Sequence, residues 1–134
     1  MQTLFINSES SLDEVAKIVL STLGISRFME GDSSFSASGY YLEGSVLGIV
    51  IKIDENNYDY EDDYNYMISI KKAIGTKLAD DNALLGVAEI IASVISEKLE
   101  IEVALETELR KNDEYSLKVF SFDGNKVNAN IRRF

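Results

Sequence analysis

An α+β architecture, one antiparallel sheet with two helices packed on one face, is expected from three features of this chain. Two segments, one near the N-terminus and one beyond residue 80, carry apolar residues at helical spacing. The runs between and after them alternate apolar and polar residues at period two, the mark of half-buried strands. The order is a helix, then mostly antiparallel strands, then a helix, then a terminal meander, which favours a sheet with its helices gathered on one side. With 134 residues, 46% of them hydrophobic, residues 1–134 are expected to form one domain with a substantial core.

Each element has a local reason. Thr3–Ile6 is a short apolar run expected to form an edge strand. Leu12, Val15, Ala16, Val19, Leu20 and Leu23 make one helical face, Ser11 and Glu14 stand at capping-box spacing, and Gly24 is a natural stop. Short strands are expected around Phe28–Met29 and Gly39–Glu43, with breaks at Gly31-Asp32 and Gly44-Ser45. Leu47, Ile49, Ile51 and Ile53 mark the next strand, and Tyr66, Ile68 and Ile70 the one after. After a turn at Gly75-Thr76, Asp80 or Asp81 can cap a helix running to about Glu100, whose buried face is Leu84, Ala88, Ile91, Ala92, Ile95 and Leu99. Ile101, Val103 and Leu105 form a strand, Glu108–Glu114 a polar turn, and Tyr115, Leu117 and Val119 another strand. Asp123-Gly124 signals a tight turn into a last run bearing Val127, Ala129 and Ile131 on one face.

Composition narrows the chemistry. Cysteine and histidine are absent, which removes disulfides, thiolate nucleophiles, the commonest general base and Cys/His zinc sites. No apolar run approaches the ~20 residues of a membrane span, and no basic start followed by an apolar stretch suggests a secretory signal. A cytoplasmic protein is expected. The net charge of −10 and pI near 4.4 disfavour direct contact with nucleic acid or anionic lipid and favour cationic proteins. The same acidity would also serve solubility alone.

The chain's most unusual stretch is DENNYDYEDDYNY, residues 54–66, with six carboxylates, four tyrosines and no cation. Its acids do not follow the EF-hand pattern, which needs a glycine and a glutamate at fixed positions. They lie in a hydrophilic run, where no carboxyl would be desolvated into a general acid. No phosphate loop and no serine–base pair occurs. No catalytic residue, metal ligand or cofactor is therefore expected. Read plainly, the segment is a solvated hairpin loop with Tyr66 turned into the core. Read sharply, it is a docking surface for a basic protein, with Tyr58, Asp59, Tyr60, Glu61, Asp62, Asp63 and Tyr64 as its contacts. The tyrosine density favours the second. Of Tyr40 and Tyr41, one ring should pack inward and the other lie outside.

The run GYYLEGSVLGIVIKI (Gly39–Ile53), followed by DYNYMISI (Asp63–Ile70), resembles the immunity proteins of bacterial contact-dependent growth inhibition systems, over roughly residues 11–72. The resemblance implies an inhibitor of a toxin domain, often a basic RNase or DNase, that acts by covering the nucleic-acid cleft. Asp59, Glu61, Asp62 and Asp63 would pair with toxin lysines and arginines, and Tyr58, Tyr60 and Tyr64 would supply apolar anchors. Glu102, Glu106 and Glu108 form a second acidic stripe that could widen the footprint, although the outward face of a strand is the default account of them. An acidic adaptor or chaperone for a basic effector is the alternative.

Overall fold

The structure, a computed structural model, describes residues 1–32, 40–56, 60, 63–73, 81–107 and 116–133. Within them the chain runs β1 (Gln2–Ile6), α1 (Leu12–Thr22), β2 (Phe28–Asp32), β3 (Tyr40–Val46), β4 (Ile49–Glu55), β5 (Tyr66–Lys72), α2 (Asp81–Leu99), β6 (Val103–Glu106), β7 (Ser116–Phe122) and β8 (Val127–Arg133). The eight described strands form one sheet in the order β2-β3-β4-β5-β1-β6-β7-β8, and every pairing is antiparallel. The α+β architecture expected from the sequence is the one observed. The predicted turns at Gly75-Thr76 and Glu108–Glu114 lie outside the described residues.

Strand register explains how the two helices share a face. Leu42, Ile53, Ile68, Leu4 and Leu105 stand opposite one another in successive strands and form an apolar row across the sheet. Leu12, Val15, Ala16, Val19 and Leu20 of α1 pack on this side, as do Leu84, Ala88, Ile91, Ala92 and Ile95 of α2. The row ends at Lys118, whose ammonium meets Glu89 of α2 at 3.0 Å. α1 contacts β3 and β4, whereas α2 lies against β5, β1, β6, β7 and β8.

Both helices end for visible reasons. The Ser11 hydroxyl accepts from the Glu14 amide at the start of α1. At its end Gly24 takes φ +79°, while the amides of Gly24 and Ile25 bond the carbonyls of Ser21 and Leu20, a Schellman closure. α2 ends at Glu100, which adopts φ +54° without being glycine. The buried Ser96 hydroxyl donates to the Ile101 carbonyl at 2.8 Å and fixes the exit into β6.

Three expectations need correction. Thr3–Ile6 is no edge strand: β1 lies between β5 and β6, with Leu4, Phe5 and Ile6 all buried. Its neighbours come from distant parts of the chain, and no local pattern names them. Gly44-Ser45 does not break a strand either, because β3 runs on to Val46 and the hairpin turns at Leu47-Gly48, both at positive φ. Gly44 is required for a different reason: a Cβ there would fall 2.7 Å from Ile25 Cγ2 and 3.3 Å from the Arg27 carbonyl. Likewise β2 continues through Gly31-Asp32.

The acidic-tyrosine loop and the second sheet face

The sheet's other face carries a different set of side chains. One row there reads Asp54, Met67, Phe5, Ala104, Val119 and Asn130. Phe5, Ala104, Leu117 and Val119 form a small second apolar cluster, and neither helix contributes to it. Two tyrosines of the acidic segment cover it instead.

The segment does join two directly paired strands, as expected: Glu55 of β4 stands opposite Tyr66 of β5. Its base is closed by Asn56, whose amide donates to the Asn65 carbonyl at 3.0 Å and whose side-chain nitrogen donates to the Tyr64 carbonyl at 2.9 Å. Asn65 in turn exchanges bonds with Ser8, accepting from its amide at 2.9 Å and donating to its carbonyl at 2.6 Å. The Tyr66 hydroxyl donates to the Ser10 carbonyl. The loop's return strand is thus fastened to the β1–α1 connection as well as to the sheet.

Tyr60 adopts φ +64°, and its carbonyl accepts from the amides of Asp63 at 3.0 Å and Tyr64 at 2.8 Å. These bonds tie Tyr64 back to Tyr60, and both rings reach the same Phe5. The Tyr60 ring meets Phe5 edge-on at 5.5 Å and 71°, and the Tyr64 ring lies tilted at 6.2 Å from the same Phe5. Asp63, between them in sequence, is exposed.

The seven predicted contact residues therefore divide. Tyr58, Asp59, Glu61 and Asp62 lie outside the described residues. Asp63 is exposed and Tyr60 half-buried. Tyr64 is only 2% exposed, so in the free chain its ring anchors the loop to its own sheet and is not offered to a partner. A buried phenol ring needs apolar surroundings, and Phe5, Ala104, Leu117 and Val119 supply them. Asp54 also differs from its reading as a loop acid: it is buried in β4, 3.8 Å from Lys52. Tyr66 is buried against the helix-side core.

Beneath Tyr64 lies an ion pair that no sequence spacing signals, since its members are 30 residues apart. Arg132 of β8 grips Glu102 through two bonds of 2.7 and 3.1 Å. The Tyr64 hydroxyl donates to Glu102 Oε2 at 2.8 Å and accepts from Arg132 at 3.2 Å. Burial, then the bond to Glu102, raises the Tyr64 phenol well above its ordinary value. The Arg132 guanidinium, assisted by Tyr64, holds the Glu102 carboxyl below its ordinary range against the opposing pull of desolvation. Glu102, expected as a free acid of a second stripe, is thus neutralised within the chain; Glu106 is exposed in β6, and Glu108 lies outside the described residues.

Toward β2 the same face carries Met29, Glu43, Lys52 and Ser69 in one row. The Tyr41 ring lies over Gly31, where a Cβ would come within 2.3 Å of it, and the Lys52 ammonium sits 4.5 Å from the ring centre. Tyr40 packs on the helix side, so the pair splits between the faces as alternation requires. Among the described residues, no cluster of three or more acids could hold a metal ion, and no helix is long and apolar enough to cross a membrane. No family model matches the chain, and no curated protein or solved structure does so either.

Proposed function

We propose that this chain is an immunity protein that binds a basic toxin domain, a nuclease by preference, and blocks its substrate cleft with the acidic segment between β4 and β5. The observation that carries this reading is the mounting of that segment. Its base is closed by bonds among Asn56, Tyr64, Asn65 and Ser8, and Tyr60 and Tyr64 pack on Phe5, so the exposed Asp63 between them is held in place before any partner arrives. A pre-positioned surface loses less freedom on binding than a floppy one. The net charge of −10 adds long-range attraction for a cationic partner. Inhibition by occlusion needs no chemistry from the inhibitor: carboxylates stand where the phosphates of the nucleic acid would lie.

The revised role of Tyr64 changes the expected contact set. Tyr58, Asp59, Tyr60, Glu61, Asp62 and Asp63 remain as contacts, while Tyr64 acts from below. The test is co-expression. The C-terminal domain of the large protein encoded beside this chain's gene should arrest growth when expressed alone, and this chain should restore it. Arrest that persists with the chain abundantly present would overturn the proposal.

A further inference from the structure

We infer that Glu102 and Tyr64 together form a receptor for an arginine guanidinium, occupied in cis by Arg132 and open to exchange with an arginine of a cationic partner. The inference rests on the reading of the chain as a binder of a basic protein. The two halves of the contact are held differently. The receptor half is fixed without Arg132: the Tyr64 ring is buried on Phe5, and its hydroxyl already donates to Glu102 Oε2 at 2.8 Å. Both carboxylate oxygens and the hydroxyl then face one guanidinium, at 2.7, 3.1 and 3.2 Å.

The occupant half is peripheral. Among the described residues β8 is the last strand of the sheet, paired with β7 alone, and its residues from Ala129 through Arg133 are exposed. The Arg132 side chain is 48% accessible and that of Glu102 39%, so one guanidinium can replace another without opening the core. Asp63, exposed nearby, adds its negative field to both Tyr64 and Arg132. A planar fork fits a carboxylate bidentately, whereas a lysine ammonium is a point donor, so the receptor discriminates between the two cations. Arg132 thereby keeps the carboxylate ionised, charge-paired and shaped until a competing arginine arrives.

Hexa-arginine and hexa-lysine peptides are the probes, titrated against the wild-type chain, Arg132→Ala and Arg133→Ala. Arg133 is adjacent and exposed, so its removal changes the net charge equally without vacating the receptor. Arg132→Ala should bind hexa-arginine about threefold more tightly than Arg133→Ala does. It should show no such gain with hexa-lysine, and adding Glu102→Gln should abolish the gain. Equal affinities of the two alanine variants, or an equal gain with both peptides, would overturn the inference. Should the alanine variant fail to fold, Arg132→Lys keeps the charge and loses the fork, and it should show the same arginine preference relative to wild type. The peptides require no toxin, so a negative result here strikes the receptor alone, whereas failed rescue in co-expression strikes the proposed function alone.

Discussion

The two faces of the sheet are built on different principles. On one, isoleucines and leucines from successive strands meet two amphipathic helices and form a continuous apolar core. On the other, Phe5, Ala104, Leu117 and Val119 make a small patch that is covered by two tyrosines of an acid-rich loop and bordered by an ion pair. The first arrangement supplies stability from apolar area. The second fastens Tyr60 and Tyr64, two described residues of the acid-rich segment, to the sheet. Damage to the first should unfold the chain, and damage to the second should free the loop while the fold survives.

The largest effect should come from the helix-covered face. Ile68 is fully buried between Leu4 and Ile53, and Ile68→Ala should cost about 4 kcal/mol in urea unfolding, with both faces lost together. Phe5→Leu should cost less, about 1.5 kcal/mol. Its signature is local: the amides of Asp63 and Tyr64, bonded to the Tyr60 carbonyl, should exchange hydrogen faster than those of β5. If they slow or fail faster only with global unfolding, the two faces are not separable. Tyr64→Phe keeps the ring and loses the bonds to Glu102 and Arg132, and should cost about 1 kcal/mol.

The smallest effect is the pH dependence of the ion pair. The folded-state pKa of Glu102 is depressed, so its contribution is complete above the unfolded carboxyl value of about 4.3 and is lost as pH falls through the lower folded value. The stability difference between wild type and Glu102→Gln should be below about 1 kcal/mol at pH 7, given the exposure of the pair, and should shrink below about pH 4. Asp123, whose carboxyl is also depressed, is common to both proteins and cancels in the difference.

What the sequence revealed was what depends on neighbours along the chain. The helical faces of α1 and α2 and the alternation of β4 and β5 are local periodicities, and they appear where they were expected. The central place of β1 was hidden because its partners, β5 and β6, are set by pairing across the whole domain. The clasp of Arg132 on Glu102 was hidden for the same reason. The burial of Tyr64 had a readable signal that a strand-and-loop reading passes over: Tyr60 and Tyr64 are four apart, the spacing that a single i→i+4 turn ties together. Gly44 was legible as a glycine but not as one demanded by Ile25 above a continuing strand.

The central claim is that the acid-rich segment, anchored to this second face through Tyr60 and Tyr64, meets a cationic protein through its carboxylates. Stopped-flow association with a basic toxin domain that this chain neutralises in co-expression, measured at low and high salt, tests it most directly. Asp62→Lys combined with Asp63→Lys should slow association and flatten its salt dependence relative to wild type. Unchanged rates with an unchanged salt slope would contradict it.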